Sequence, residues 1–280
     1  MLPTNVVIFT DLDGTLLDHR TYSWAAAEAA LAELQRRRVP LVFVTSKTRA
    51  EVEVLQHKMG WIQPFITENG GGIFLPHGYF PQHLEGATRI GRYHCVALAR
   101  PYAEIVEELE AIAEEAGASI VGFHQMSARE IAQNTGLPPK EAELARQREF
   151  DEPFFFAGAG EDRIQRFAHE AKRRGIEITR GGRFWHAFSG SNKGKAVQKL
   201  MKLYRTALHS RQRSVGLGDS ANDLPMLAAV DAAIVVQKPN GSYDPEIVKK
   251  LPRAVRAPAP GPEGWNEAVL QILTGELPRR

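Results

Sequence analysis

Short apolar runs that end in polar residues constrain the fold of this chain most. The first run, NVVIFT at residues 5–10, is rich in β-branched residues and stops at Asp11. A second run, VPLVFVT at residues 39–45, follows an alanine- and leucine-rich segment, residues 22–38, with apolar residues at helical spacing. Strands that are apolar on both faces are typical of parallel sheets covered by helices. The pattern therefore predicts a β-α-β unit over residues 5–45.

The same alternation continues on both sides of a different central region. A helix near residues 49–59 and a strand at 64–70 follow the first unit, and helix–strand alternation returns over 193–236. We therefore predict an α/β fold with a doubly wound, Rossmann-like parallel sheet and an inserted α+β cap domain. The length of 280 residues suits two domains. The expected division is residues 1–84 and 189–280 for the core and residues 85–188 for the cap.

Composition excludes several classes of function. Hydrophobic residues make up 43% and charged residues 24%, which is typical of a soluble globular protein. The net charge of +2 gives no overall field for nucleic acid or membrane partners. A single cysteine, Cys95, permits neither an internal disulfide nor a cysteine-based zinc site. The chain opens with no basic segment and no long apolar stretch, so we expect a cytoplasmic protein, whose oligomeric state stays open.

The first strand is followed by two carboxylates two residues apart, Asp11 and Asp13. A carboxylate can attack phosphorus as a nucleophile, while a second acid protonates the leaving oxygen and later activates water. We assign Asp11 the first role and Asp13 the second. A calcium-binding EF-hand loop needs glycine at its sixth position and glutamate at its twelfth, whereas Gly14 is fourth and Tyr22 is twelfth. That alternative is therefore excluded.

A second acidic turn follows a later apolar strand, SVGLGD at residues 214–219. It offers two carboxylates and an amide within one turn, and such oxygen ligands suit Mg²⁺. Taken alone, the turn could equally be a helix N-cap, so its weight comes from pairing with the first acidic turn. The predicted direct magnesium ligands are Asp11, Asp219 and the main-chain carbonyl of Asp13, with Asn222 and Asp223 in support.

Two further elements can bind an anion. Thr45, Ser46 and Lys47 end the second strand and can offer a hydroxyl and main-chain N–H groups to phosphate oxygens. Lys193 opens a helix, where its ammonium group and the helix dipole both favour an anion, although an exposed lysine is the ordinary alternative. The sequence thus offers a nucleophile, an acid/base group, metal ligands and cationic groups that can bind phosphate. Together these groups predict phosphoryl transfer.

Four motifs, DLDGTLL, VFVTSK, the lysine of SNKGKA and GDSANDLPML, resemble those of the haloacid dehalogenase-like phosphatase superfamily. The insertion between the second and third motifs resembles the α/β cap of the Cof-type subgroup. The resemblance implies a Mg²⁺-dependent phosphatase whose cap selects the substrate and closes over the site.

A finer resemblance is to the mannosyl-3-phosphoglycerate phosphatases, in TSKTRAEVE, FITENGGGIF, MSAREIAQNTGLPPKEAELARQREFDEPF and RGGRFWHAF. It implies a small phosphorylated glycoside as the partner, and arginines suit its phosphate and carboxylate groups. It places Glu68, Asn69, Gly70 and Gly71 at the substrate edge of the core. The cap residues that it assigns to substrate binding are Ser127, Glu130, Arg148, Glu149, Arg180, Gly181 and Arg183.

The finer resemblance implies hydrolysis of mannosyl-3-phosphoglycerate, through an aspartyl-phosphate on Asp11. Glucosyl-3-phosphoglycerate is a nearly equivalent substrate, and a general sugar-phosphate phosphatase of the Cof type is an alternative. A phosphomutase of the same superfamily would return the phosphoryl group to a sugar. A non-catalytic sugar-phosphate sensor would be expected to lack Asp11 or Asp13, and both are present.

Overall fold

The computed structural model describes residues 5–81, 84–181 and 184–276. Its strands, in chain order, are β1 (Val6–Thr10), β2 (Leu41–Val44), β3 (Phe65–Thr67), β4 (Gly72–Pro76), β5 (Thr88–Ile90), β6 (Tyr93–Ala97), β7 (Ile120–Gly122), β8 (Glu152–Phe156), β9 (Ile176–Gly181), β10 (Phe184–Ser189), β11 (Arg213–Gly218), β12 (Ala232–Gln237) and β13 (Val255–Pro260). Its α-helices are α1 (Glu28–Arg37), α2 (Arg49–Met59), α3 (Tyr102–Ala116), α4 (Ala128–Thr135), α5 (Pro139–Ala145), α6 (Glu161–Arg173), α7 (Lys193–Leu208), α8 (Leu224–Ala229), α9 (Pro245–Lys250) and α10 (Gly261–Thr274). Short 3₁₀ turns occupy Ala25–Ala27, Glu68–Gly70, Phe123–Gln125 and Ala221–Asp223.

The larger sheet has the strand order β13-β12-β11-β1-β2-β3-β4-β6-β5 in the described part of the chain. The strands from β13 to β3 run parallel to their neighbours, with β1 between β2 and β11. The pairings β3–β4, β4–β6 and β5–β6 are antiparallel. The predicted α/β class with a large, mostly parallel sheet is therefore confirmed.

Strand β1 shows why this sheet needs helices on both faces. Ile8 packs into the apolar cluster formed with α1, α2 and α10, while Val7 and Phe9 pack into the cluster formed with α7, α8 and α9. All three side chains are fully buried. Burying one such side chain stabilises the fold by about 1.5–3 kcal/mol, so both helical layers contribute to the core.

The second sheet is antiparallel, with the order β7-β8-β10-β9. Phe154 and Phe167 pack with α3 and α6 on one face, and Phe123 and Phe184 pack with α4 and α5 on the other. This unit separates β6 from α7 along the chain. It has its own apolar clusters, and its assignment as a separate cap domain stays a prediction.

The inserted unit begins later in the chain than the expected boundary at residue 85. Thr88–Ile90 and Tyr93–Ala97 extend the larger sheet, and β4 pairs with β6 from Gly72 opposite Ala97 to Pro76 opposite Tyr93. Such a pairing between separated segments leaves no local sequence signal, because an antiparallel edge strand reads like any short strand. The change of sheet therefore comes after Ala97.

Among the described residues, no helix has the length and apolar character needed to span a bilayer.

Candidate active site

Three strand ends meet at one edge of the larger sheet. Asp11 follows β1, Thr45 follows β2 and Asp219 follows β11, and the parallel pairing brings these ends together. The end of β1 is fixed because Trp265 Nε1 donates a hydrogen bond to Thr10 Oγ1 at 2.9 Å and Asp11 N donates to Leu217 O at 2.9 Å. Ligands of doubly wound sheets bind at this edge.

Lys193 connects the two acidic turns. Its Nζ lies 2.7 Å from Asp11 Oδ1 and 2.6 Å from Asp223 Oδ1, and its side chain is only 1% exposed. Burial alone would lower the pKa of Lys193, but the Asp11 and Asp223 carboxylates raise it above its usual range. The lysine is therefore a fixed positive charge beside the proposed nucleophile, and the exposed-surface alternative for Lys193 does not apply.

The donor set fits a divalent cation. Carboxylate oxygens of Asp11, Asp219 and Asp223 lie within 4.8 Å of one another. Burial and the Asp223 charge raise the pKa of Asp219 to about 7, and burial followed by the Asp223 charge raises the pKa of Asp11. A bound Mg²⁺ would offset this repulsion between carboxylates. Gly14 leaves room for the site, because a Cβ there would lie 3.1 Å from Asp219 Oδ2.

Each member of the second acidic turn has a distinct position. Thr15 Oγ1 donates to Asp219 Oδ1 at 3.2 Å, which orients that carboxylate. Asp223 Oδ2 accepts from the N–H groups of Asp219 and Ser220 at 3.1 and 3.2 Å, so Asp223 organises the turn and holds Lys193. Asn222 Oδ1 accepts a hydrogen bond from Ser220 Oγ at 2.7 Å. These contacts suit the supporting roles predicted for Asn222 and Asp223.

Asp13 lies against the end of β2. Its Oδ2 is 3.0 Å from Lys47 Nζ, while its Oδ1 is buried with no hydrogen-bond partner among the described residues. Burial alone would lower the pKa of Lys47, but Asp13 and Glu51 raise it, so the lysine stays charged. Thr45 Oγ1 accepts a hydrogen bond from Lys47 N at 3.1 Å, which leaves its own proton for an anion. The site thus offers an acid/base group beside an anion-binding loop.

The turn assigned to the substrate edge is buried in protein contacts. The Glu68 carboxylate is fully buried and accepts hydrogen bonds from main-chain N–H groups of residues 149–151. Asn69 is also buried, and Gly70 and Gly71 are packed against neighbouring chain. The Glu68 oxygens thus already accept from three main-chain N–H groups, and a substrate role for this turn stays a prediction.

The predicted cap residues fall into separate places. Ser127 and Glu130 are exposed and bond each other as a capping box at the start of α4. Arg148 is buried against Asp151, and Glu149 lies 3.2 Å from Arg49 of α2. These contacts are structural, so a substrate role for the four residues stays a prediction.

Strand β9, which carries Arg180 and Gly181, lies beside the second acidic turn. Strand β9 contacts the turn Ala221–Asp223, which carries Asn222. Arg180 is exposed on β9, with its guanidinium 5.7 Å from the Trp185 ring centroid, and Gly181 ends the strand. Arg183 lies outside the described residues. An exposed arginine on a strand beside the acidic turn is a suitable partner for an anionic substrate group.

Sequence reasoning missed two kinds of residue. Thr15 belongs to the DLDGT motif, so its position after the first carboxylates could have marked it. The buried Asp151 carboxylate accepts a hydrogen bond from Asn69 Nδ2 at 2.7 Å, and its Oδ2 lies 3.1 Å from His186 Nδ1. Asp151 has no local signal, since an acidic residue before a strand reads as an ordinary surface residue.

Fold and site together define a class of hydrolases. The family model of haloacid dehalogenase-like hydrolases matches residues 8–83 and 161–242, and the chain belongs to this family. The matched segments contain Asp11, Thr45, Lys193 and Asp219. The resemblance found in the four motifs is therefore confirmed.

Curated relatives bring the comparison to a particular activity. Glucosyl-3-phosphoglycerate/mannosyl-3-phosphoglycerate phosphatase of Methanococcoides burtonii is 42% identical over 267 residues, which are 95% of this chain and 97% of the relative. The protein of the same name from Persephonella marina is 41% identical over 269 residues, covering 96% and 97%. A crystal structure of Thermoplasma acidophilum 0175 shares the fold with a TM-score of 0.67 at 19% identity, covering 96% of this chain and 99% of that one.

Proposed function

We propose that this chain is a Mg²⁺-dependent phosphatase that hydrolyses mannosyl-3-phosphoglycerate to mannosylglycerate and phosphate, with glucosyl-3-phosphoglycerate as a sibling substrate. The observation that carries the proposal is the position of Asp11 at the end of β1. There Asp11 lies 2.7 Å from Lys193 Nζ and shares one cluster of carboxylates with Asp219 and Asp223. This arrangement provides a nucleophile, a fixed cation and a metal site at one point.

In the first step, an Asp11 oxygen attacks phosphorus and the bond between phosphorus and the glycerate oxygen breaks. Asp13 donates a proton to that leaving oxygen, so the glycosylglycerate departs as a neutral alcohol. In the second step, Asp13 takes a proton from water as the water oxygen attacks the aspartyl-phosphate. Inorganic phosphate leaves and the Asp11 carboxylate is restored.

The remaining groups stabilise charge on the transferred phosphoryl oxygens. Lys193 is held by two carboxylates and Lys47 by Asp13, so both ammonium groups are oriented before substrate binds. The Thr45 hydroxyl can donate to a phosphoryl oxygen, because its oxygen already accepts from Lys47 N. Mg²⁺ bound by Asp11 and Asp219 would supply further positive charge at these oxygens.

The choice of substrate is supported by the relatives and by the cap. Both curated relatives named above carry glucosyl-3-phosphoglycerate/mannosyl-3-phosphoglycerate phosphatase as their name and cover at least 95% of the chain. The substrate has a phosphate, a carboxylate and a sugar, and Arg180 is an exposed cation on β9, the strand that contacts the acidic turn Ala221–Asp223. A guanidinium group binds carboxylate in a bidentate manner.

Release of inorganic phosphate from a substrate panel tests the proposal. The panel contains mannosyl- and glucosyl-3-phosphoglycerate, hexose phosphates and 3-phosphoglycerate, each with Mg²⁺ and with a chelator. We expect the highest kcat/KM for the glycosyl-phosphoglycerates, and loss of turnover in the chelator. Equal kcat/KM on hexose phosphates would favour a general sugar-phosphate phosphatase, and conversion of a sugar phosphate into its isomer without phosphate release would favour a mutase.

Asp11→Asn tests the nucleophile. The substitution should abolish turnover while leaving the circular dichroism spectrum unchanged, because the amide keeps the side-chain shape but cannot attack phosphorus. Asp162→Asn, the same change at an exposed position of α6, is the matched control and should keep full activity. Turnover near the normal rate in Asp11→Asn would refute the assignment of Asp11 as the nucleophile.

A further inference from the structure

The turn Glu68–Gly70 holds an unfavourable backbone conformation. Glu68 and Asn69 are consecutive non-glycine residues with φ of 49° and 57°. Each such residue costs about 1–3 kcal/mol and persists only where its surroundings fix it. Strain of this kind gathers at functional sites, so the contacts that fix this turn are informative.

On its core side, the turn holds two pieces of the catalytic site. Glu68 N donates to Lys47 O at 3.1 Å, and Asn69 N donates to Thr45 O at 3.0 Å, so both ends of the anion-binding loop are fixed by the turn. Gly70 lies against the start of α7, where a Cβ would overlap the main chain of Asn192 and lie 2.7 Å from Lys193 N. The turn thus touches the loops that carry Thr45, Lys47 and Lys193.

On its other side, the same turn holds the segment of the inserted unit between α5 and β8. The Glu68 carboxylate accepts hydrogen bonds from Glu149 N at 3.0 Å, Phe150 N at 2.7 Å and Asp151 N at 2.9 Å. Asn69 Nδ2 donates to Asp151 Oδ2 at 2.7 Å. These bonds join the core turn to the segment that leads directly into β8.

Arg148 adds a direct connection from the cap to the anion-binding loop. Its Nη2 donates to Ser46 O at 3.1 Å and also contacts the Asp151 carboxylate, while its Nε lies 3.6 Å from Glu68 Oε2. The guanidinium therefore bridges two carboxylates and one catalytic-loop carbonyl. The Glu68 and Asp151 carboxylates are fully buried, so their negative charges depend on Arg148 for compensation.

We propose that Glu68 and Arg148 are positioning residues that couple the cap to the loop Thr45–Lys47, in place of the substrate contacts expected from the sequence. Any shift of residues 148–151 with the cap moves a hydrogen-bond donor to Ser46 O and three donors to Glu68. The same shift therefore changes where Thr45 and Lys47 meet phosphate. The coupling rests on the proposed phosphoryl transfer only for its catalytic readout, because the contacts themselves are present without substrate.

Two substitutions and one control test the coupling. Arg148→Lys keeps a positive charge beside Glu68 but removes the planar fork that reaches Ser46 O. Glu68→Gln keeps the side-chain shape but removes the negative charge of the carboxylate, whose oxygens accept three N–H hydrogen bonds. Glu152→Gln is the matched control, because Glu152 is a fully buried carboxylate whose hydrogen bonds go to Tyr102 and His124 inside the inserted unit.

The readouts are urea unfolding, kcat and KM on mannosyl-3-phosphoglycerate, and the Kd of inorganic phosphate with Mg²⁺ by calorimetry. For Arg148→Lys and Glu68→Gln we expect kcat to fall and phosphate Kd to rise, each by about tenfold or more, under conditions where each variant is folded. Glu152→Gln should lose stability and keep both kcat and phosphate Kd within about twofold, since the hydrogen bonds of the Glu152 carboxylate reach neither Glu68 nor the loop Thr45–Lys47.

Several outcomes would overturn the coupling. One is a folded Arg148→Lys variant with normal kcat and normal phosphate Kd. Another is a Glu152→Gln control whose kcat falls and whose phosphate Kd rises as much as in the two test variants. A rise in KM for the glycosyl substrate with unchanged phosphate Kd would identify a substrate contact instead. If Glu68→Gln does not fold, the kcat and phosphate Kd of Arg148→Lys decide whether the coupling holds. Failure of the wild type to hydrolyse either glycosyl-phosphoglycerate would refute the proposed function, while the phosphate Kd would still test the coupling.

Discussion

Replacing Lys193 with methionine tests the electrostatic balance of the site. The Lys193 ammonium lies 2.7 Å from Asp11 Oδ1 and 2.6 Å from Asp223 Oδ1, and the three side chains are at most 9% exposed. Methionine fills similar volume but leaves two buried carboxylates without their cation. Breaking a buried ion pair in this way costs about 3–5 kcal/mol, so we expect the free energy of unfolding in chelator to fall by that amount.

A second substitution shows whether charge is the cause. In the Lys193→Met background, Asp223→Asn removes one of the two uncompensated carboxylates. The double variant should therefore lose less stability than the sum of the single losses, by about 0.5–3 kcal/mol. Urea unfolding followed by circular dichroism gives all four values of this cycle. Strict additivity would mean that the loss comes from packing.

The effect of Lys193→Met should also depend on pH. Burial raises the pKa of Asp11 and Lys193 lowers it, so removing the lysine raises that pKa further. An acid with a raised pKa in the folded state favours folding when it is protonated, and this stability is lost as pH rises. The destabilisation should thus be larger near pH 8 than near pH 5. An equal loss at both pH values, or a loss under about 1 kcal/mol at pH 8, would refute the reasoning.

Three further outcomes are expected. Gly70→Ala should lose roughly 2–5 kcal/mol in urea unfolding, because φ is 101° and a Cβ would overlap Asn192, whereas Gly78→Ala, at φ 74° in open space, should lose only about 1–2 kcal/mol; equal losses would contradict the close approach. Mg²⁺ should raise Tm more near pH 8 than near pH 5, because the pKa of Asp219 is about 7 and protons compete with the cation at low pH; a pH-independent rise would contradict the assigned ligand. Asp13→Asn should lower kcat by about 10²–10⁴ on the glycosyl substrate and far less on p-nitrophenyl phosphate, whose leaving group needs no proton; equal losses would remove Asp13 as the acid.

The meeting of the polar strand ends in the candidate site could be predicted from sequence because its signals are local. Asp11, Thr45 and Asp219 each follow a short apolar strand, and parallel strands bring their carboxyl ends to one edge. The burial of Lys193 could not be predicted, since a lysine at a helix start is usually exposed. Only its two carboxylate partners, from separate parts of the chain, make that burial tolerable.

The connections between core and insertion were beyond local patterns. Glu68 stands 81 to 83 positions from its main-chain donors and Arg148 stands 102 positions from Ser46, and acidic and basic residues ordinarily indicate a solvated surface. Similarly, β6 joins the larger sheet through antiparallel pairing with β4, and β5 pairs with β6 at the edge, which no periodicity encodes. These contacts join distant parts of the chain, so they could be recognised only once the fold was known.

The position of β1 between β2 and β11 has a consequence for synthesis on the ribosome. The partner strand on one side is made soon after β1, but the other, Arg213–Gly218, emerges about two hundred residues later. Until then one edge of β1, beside Asp11, has unpaired backbone N–H and C=O groups, a state that favours aggregation. Chaperone protection during translation should therefore matter most while the inserted unit is being made.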